Sequence, residues 1–124
     1  MVKTKPGSIT WIDVEKHDYE AAASYLGLLY DHKRVAGIVA RLRKAPVSQF
    51  KAKDMFRASQ LSLLGVSNSH VERDRRKILK GKGLSALLLV RDEVRGKVII
   101  ADGYHRLCAV YGIDEDAVIP CKIV

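Results

Sequence analysis

The residues best suited to chemistry lie in one run, from Asp102 to Arg106, with the sequence Asp-Gly-Tyr-His-Arg. An apolar, strand-length segment precedes this run and a helical pattern follows it, so Gly103 is expected at a strand-to-helix turn. The first amides of a helix have no partner within it and carry the positive end of its dipole, which attracts an anion. The Arg106 guanidinium can form two hydrogen bonds with phosphate oxygens, and His105 can donate a hydrogen bond or move a proton near neutral pH. The run therefore predicts a phosphate-binding turn.

Two interpretations of this run stand side by side. In the functional one, Asp102 and His105 are the candidate catalytic residues, and Gly103, Tyr104, His105 and Arg106 contact phosphate. In the structural one, Asp102 caps the helix, Gly103 only makes the turn, and the two basic residues are ordinary surface side chains. The spacing alone favours neither interpretation.

The elements that must position this run are predicted from apolar periodicity. Helical spacing predicts five helices: one after Asp18, then 33–44, Asp54 to Leu64, 70–80 and 104–111. Gly65 is expected to end the third of them, and Leu79 is expected to face inward from the fourth. Strand-length apolar segments predict a weak strand over 47–53, a hairpin of 86–90 and 97–101 buried on both faces, and a last strand over 119–124. Residues 1–12 are expected to form a loose lead-in with Trp11 as its anchor.

Length and composition restrict the class of protein. With 124 residues and 13.8 kDa, the chain is expected to form one mixed α+β domain, 1–124. No stretch reaches the roughly 18 apolar residues of a membrane span, and no apolar segment follows the basic start, so we expect a cytoplasmic protein with no membrane partner. Cys108 and Cys121 lie in apolar stretches, which favours core positions over a disulfide. These cysteines, together with His70 and His105, show no Cys-x-x-Cys or His-x-x-x-His spacing, so we expect no metal site built from protein side chains.

The charge of the chain indicates anionic partners. There are 22 Lys and Arg against 14 Asp and Glu, a formal net charge of +8. An alternative to a phosphate-binding protein is therefore a non-catalytic module that binds nucleic acid non-specifically or regulates a partner, through the basic helix 70–82 together with Arg34, Arg41, Arg43 and Lys44. The apolar stripe of Tyr19, Leu26 and Leu29 is expected in the core or in a homodimer contact.

Several segments in order resemble the fold shared by ParB N-terminal domains, sulfiredoxins and free-serine kinases. They read Lys77-Ile78-Leu79-Lys80-Gly81, then Leu84 to Val90, then Ile100 to Ala109 with its Gly-x-His-Arg, then Val118-Ile119-Pro120. The resemblance covers residues 66–124 and makes residues 1–65 a mainly helical N-terminal extension. It implies a nucleotide of the ATP or CTP class as ligand, with Mg²⁺ as the accompanying metal, and phosphate contacts from Gly103, His105 and Arg106.

The chain departs from each of these families at the same turn. Sulfiredoxins place their catalytic cysteine directly before the His-Arg pair, where this chain has Tyr104. ParB domains carry a second arginine where His105 stands. The free-serine kinases share Asp-Gly-x-His-Arg most closely but bring a carboxylate from elsewhere in the chain. Nucleotide hydrolysis, phosphoryl transfer and binding without turnover therefore stay open.

A second cluster begins the preceding helix. The resemblance places an Asn-Pro-Arg-like segment beside the nucleotide, at the position of Ser67-Asn68-Ser69-His70 here, so these residues are candidate contacts to phosphate or sugar. Lys82, with Lys80 and Ser85, is expected near the same end and would supply charge. The structural alternative is plain capping by Ser69, with Glu72 three residues on in capping-box spacing.

Overall fold

The computed structural model describes residues 9–124, which form six strands and five helices. In chain order these are β1 (Trp11–Ile12), α1 (Lys16–Leu26), α2 (His32–Lys44), β2 (Val47–Lys51), α3 (Ala52–Ser59), α4 (Ser69–Leu79), β3 (Leu84–Ser85), β4 (Leu87–Asp92), β5 (Lys97–Asp102), α5 (Tyr104–Ile113) and β6 (Val118–Ile123). The predicted mixed α+β class is confirmed.

A four-stranded mixed sheet has the strand order β2-β6-β4-β5. Its β2/β6 and β4/β5 pairs are antiparallel, whereas β4 and β6 run parallel. Strand β1 pairs with β3 in a separate parallel pair of two residues each. The predicted hairpin is thus the β4/β5 pair, and the predicted weak strand is β2.

Helices cover both faces of this sheet because successive side chains of a strand point to opposite faces. Leu87 and Leu89 of β4 join a core with apolar residues of α3, α4 and α5. Leu88 and Val90 alternate with them along β4 and point to the other face, where they form a second core with α1 and α2. Burial on both faces explains the continuous apolar run of β4, which the sequence predicted.

The described part of the N-terminal half, residues 9–65, is mainly helical, as predicted, and it also contributes to the sheet and to both cores. Strand β2 pairs with β6 along Val47 to Lys51, and α1 and α2 supply one of the two cores. Residues 11–12 differ from a loose lead-in, because they form β1. The first eight residues of the predicted lead-in lie outside the described part of the chain.

Two helix starts differ from the sequence expectation. Helix α1 begins after Glu15, whose backbone N–H donates to Asp18 Oδ2 at 2.8 Å, so Asp18 lies in the first turn rather than before it. Helix α4 is capped by Asn68, whose Oδ1 accepts from His70 N and Val71 N, and Ser69 is therefore inside the helix. The cap of α4 is therefore Asn68 rather than Ser69, which was predicted to form a capping box with Glu72.

Two expectations about apolar residues are also corrected. Helix α3 ends at Ser59 instead of Leu64, because Gln60 adopts a left-handed backbone (φ 59°) and its N–H closes the helix on Phe56 O. Leu79, expected to face inward, is 60% exposed because it lies at the last position of α4.

Both thiols are buried and free, as the sequence predicted. Burial raises the pKa of Cys108 and raises that of Cys121 to about 11, so the reactive thiolate is scarce at neutral pH.

We expect neither cysteine to react with a disulfide reagent at pH 8 in the native protein, and both to react after unfolding in guanidinium. Rapid modification of either thiol under native conditions would contradict this burial.

Candidate functional site

The Asp102–Arg106 run lines a cleft of about 330 Å³, where it meets three other parts of the chain. Glu15, His17 and Asp18 come from the start of α1, and Ser85 comes from β3. The facing side of α4 adds Arg73, Asp74 and Lys77. The cleft therefore joins charged groups of both signs around the start of α5.

Gly103 makes the turn that opens α5 into this cleft. Its backbone is left-handed, with φ 110° and ψ 14°, and no side chain caps the helix. The first helical bond runs from Leu107 N to Gly103 O, so the amides of residues 104–106 precede the hydrogen-bonded part of α5. A Cβ at Gly103 would lie 2.5 Å from Leu87 Cγ and 3.0 Å from Arg106 Nη2, so only glycine fits. The predicted capping role of Asp102 is not present here.

Arg106 is held by the protein's own acceptors. Its Nε donates to Ser85 O at 3.0 Å, and its Nη2 donates to Asp102 Oδ2 at 3.0 Å and to Ala86 O at 3.4 Å. Its Nη1 lies 3.9 Å from Asp18 Oδ1. The expected two-pronged contact of Arg106 with phosphate therefore differs from what the structure shows: the guanidinium fixes the turn against β3.

Two carboxylates share this guanidinium and have opposite pKa shifts. Burial alone raises the pKa of Asp18, but the Glu15 N–H, the Ser85 hydroxyl and Arg106 outweigh it and lower the pKa below its usual value. Burial raises the pKa of Asp102; Arg106 opposes this effect and the neighbouring Asp18 adds to it. Of the two, Asp102 is thus the group that takes up a proton first as the pH falls.

His105 stacks on a second imidazole at the rim of the cleft. The rings of His70 and His105 have centroids 4.8 Å apart, and Arg73 Nη2 lies 3.4 Å from His70 Nδ1. Burial is the main cause that lowers the pKa of His105. The charges of His70 and Arg73 lower this pKa further, whereas the carboxylate of Asp74 raises it. His105 is therefore mainly neutral at pH 7 and can accept or donate a proton.

Tyr104 holds the loop before α4. Its hydroxyl donates to Ser62 O, and burial raises its pKa. The phenol group is consequently engaged with the loop, which leaves the backbone N–H as the part of Tyr104 that can serve an anion at the helix start.

The second predicted cluster is only partly brought to the cleft. His70 reaches it through the stacking on His105. The Asn68 side chain caps α4. Ser69 and Lys82 line a separate groove beside the cleft, along α4. Ser67 is exposed and lines neither the cleft nor this groove.

Sequence reasoning missed most of the cleft's opposite wall. Glu15 and His17 belong to no recognisable motif, and the pattern around Asp18 predicted only a helix cap. Asp74 is almost fully buried within a helix whose other charged residues are more exposed, and its spacing of three residues from Val71 and four from Ile78 is the signal that could have placed it on the buried face. Arg73 and Lys77 were recognised as basic surface residues without a link to the turn.

Glu15, His17 and Asp18 are also the one group of three in residues 9–124 with ligand atoms close enough for a metal, within 4.8 Å of one another. Asp18 Oδ2 already accepts from Glu15 N, and Asp18 Oδ1 faces His17 Nε2 at 3.4 Å. Contacts within the chain thus account for this arrangement.

Comparison with known proteins adds no assignment: no family model, no curated protein and no solved structure matches this chain. Within the described residues, every helix is too short or too polar to cross a membrane. The chemistry of the cleft itself therefore carries the functional argument.

Proposed function

We propose that the protein binds a nucleotide, with its phosphates at the start of α5. The uncapped helix start at Gly103, which opens into a polar cleft, is the observation that carries this proposal. Backbone amides directed at the ligand and the positive end of the helix dipole are a general means of binding phosphate. The Asp-Gly-x-His-Arg turn resembles that of the free-serine kinases, which agrees with the proposal.

Lys77 and Arg73 extend the positive charge from the helix start to the opposite wall of the cleft. Four carboxylates also line it, those of Glu15, Asp18, Asp74 and Asp102. Because these carboxylates repel bare phosphate, the proposal favours a nucleotide that arrives with Mg²⁺, whose charge offsets part of theirs. Arg106 has a positioning role in this arrangement, since it holds the turn rather than the ligand.

The proton carriers for any turnover would be Asp102 and His105. Burial raises the pKa of Asp102 and lowers that of His105, so the carboxyl group takes up a proton at a higher pH, and the imidazole at a lower pH, than the same groups do in water. Hydrolysis and phosphoryl transfer are the reaction types this pair would serve. The proposal itself requires binding only.

Calorimetric titration with ATP, CTP, GTP and ADP, each with and without Mg²⁺, tests the proposal. We expect at least one nucleotide to bind, more tightly with Mg²⁺. Lys77→Ala should weaken this binding about tenfold, because the variant loses a charge-assisted phosphate interaction.

Lys33→Ala is the matched control, since Lys33 is an exposed lysine of α2, a helix that does not line the cleft. It should bind as the parent protein does. Absence of heat with all four nucleotides, or equal affinities in the Lys77 and Lys33 variants, would contradict the proposal.

A further inference from the structure

A groove of about 500 Å³ runs along α4 beside the cleft. Its charged lining consists of five cations and one carboxylate: Arg73, Arg76, Lys77, Lys80, Lys82 and Glu72. A concave surface with this excess of one sign raises the local concentration of anions.

The helix and the turn behind it set the positions of these cations. Residues 73, 76, 77 and 80 follow each other at intervals that keep them on one face of the helix, with at least one cation per turn, about 5 Å apart along the axis. Gly81 (φ 71°) then reverses the chain, with Gly81 N bonded to Ile78 O and Lys82 N bonded to Lys77 O. This left-handed turn returns Lys82 to the end of the row.

Little of this charge is neutralised within the protein. Glu72 Oε1 binds Arg75 Nη1 and Arg76 Nε, each at 3.2 Å. No carboxylate of residues 9–124 forms an ion pair with Lys77, Lys80 or Lys82. The groove thus presents a row of cations that fits a chain of regularly spaced negative charges.

The groove and the cleft are adjacent, because Arg73 and Lys77 line both. We propose that a single-stranded nucleic acid lies here, with its phosphorylated 5′ end at the start of α5 and its following phosphates along α4. The placement of the terminal phosphate rests on the proposed function, and the inference identifies the nucleotide that binds there as the end of a nucleic-acid strand. The row from residue 73 to residue 80 is about 10 Å long, which suits a few nucleotides of one strand.

Fluorescence anisotropy in the presence of Mg²⁺, with a ten-nucleotide single-stranded DNA labelled at its 3′ end, tests this inference. The strand carrying a 5′ phosphate should bind at least threefold more tightly than the same strand with a 5′ hydroxyl. Lys80→Glu/Lys82→Glu should weaken binding of the phosphorylated strand at least tenfold. The double variant should also have a shallower log–log salt dependence, by about 0.7 for each phosphate that the protein no longer neutralises.

Lys33→Glu/Lys51→Glu is the control, because it changes net charge equally at exposed positions of α2 and β2 that line neither the groove nor the cleft. Equal weakening in both double variants, or displacement of the strand by polyglutamate as effectively as by unlabelled DNA of the same charge, would overturn the inference.

The nucleotide titrations separate this inference from the proposed function. Nucleotide binding that depends on Lys77, together with no strand binding, would refute the inference and leave the proposed function standing. Strand binding that depends on Lys80 and Lys82 but shows no preference for a 5′ phosphate would refute the placement of the end in the cleft.

Discussion

Arg106→Ala should lower the free energy of unfolding by about 3 kcal/mol, the size of effect expected when one partner of a buried ion pair is removed. The Arg106 side chain is 15% exposed, its guanidinium is 3.0 Å from the carboxylate of Asp102, and the buried carboxylate of Asp18 lies beside it. Its loss leaves two carboxylates without their cation and leaves Ser85 O without its donor. Urea denaturation at pH 7 measures this deficit.

The deficit should depend on pH in a defined direction. Without Arg106, the pKa of Asp102 rises further above that of the unfolded chain, and the pKa of Asp18 rises from its lowered value, so the native variant binds more protons than the native parent protein as the pH falls toward the aspartate range. Lowering the pH toward about 4, the ordinary range of aspartate, therefore stabilises the variant relative to the parent protein. A deficit that is the same at pH 7 and at about pH 4.5 would contradict the pairing.

Two further variants make this prediction specific. Arg57→Ala removes an arginine that faces Asp54 in an exposed pair, and it should change stability by less than about 1 kcal/mol. Asp102→Asn added to Arg106→Ala should recover part of the loss, since one uncompensated charge is removed. Equal losses in Arg57→Ala and Arg106→Ala would show that the buried cluster contributes no more than an exposed pair.

Gly103→Ala is the second variant with a large expected effect, again about 3 kcal/mol, because two costs add. A left-handed backbone costs an alanine roughly 1–2 kcal/mol, and overpacking against Leu87 adds a similar amount. The backbone is left-handed (φ 110°), and the new Cβ would lie 2.5 Å from Leu87 Cγ, so the turn must shift. Because the same turn presents the helix amides, nucleotide binding should fall together with stability.

Gly112→Ala provides a control in the same helix. Nothing lies within 4 Å of a Cβ at Gly112, and its φ is not in the left-handed region, so the substitution should leave stability unchanged or raise it slightly. Thermal and urea unfolding of the two variants in parallel gives the comparison. A Gly103→Ala protein as stable as Gly112→Ala would contradict the packing of this turn.

Features that depend on local pattern were predictable from the sequence. The continuous apolar runs of β4 and β5 indicated strands buried on both faces, and Asp102 to Arg106 indicated a strand-to-helix turn. Both features follow from residue types within a few positions of each other. The two buried cysteines were predicted in the same way, from their apolar neighbours.

Features that depend on distant parts of the chain were not predictable. Asp18 is buried because β3 and α5 bring Ser85 and Arg106 to it, and no periodicity encodes a meeting of residues so far apart in the chain. The β1/β3 pair joins Trp11 to Leu84 and was missed because two-residue strands carry almost no pattern. The internal use of Arg106 was missed because its backbone acceptor, Ser85 O, belongs to β3.

Amide chemical shifts of ¹⁵N-labelled protein report on the backbone groups proposed to bind phosphate, so they distinguish binding at the start of α5 from binding elsewhere. On addition of a nucleotide with Mg²⁺, we expect the largest changes in chemical shift at residues 103–106, smaller ones at Arg73 and Lys77, and none along the exposed face of α2. Nucleotide binding that leaves the shifts of residues 103–106 unchanged, or changes centred on α2, would contradict phosphate binding at the start of α5.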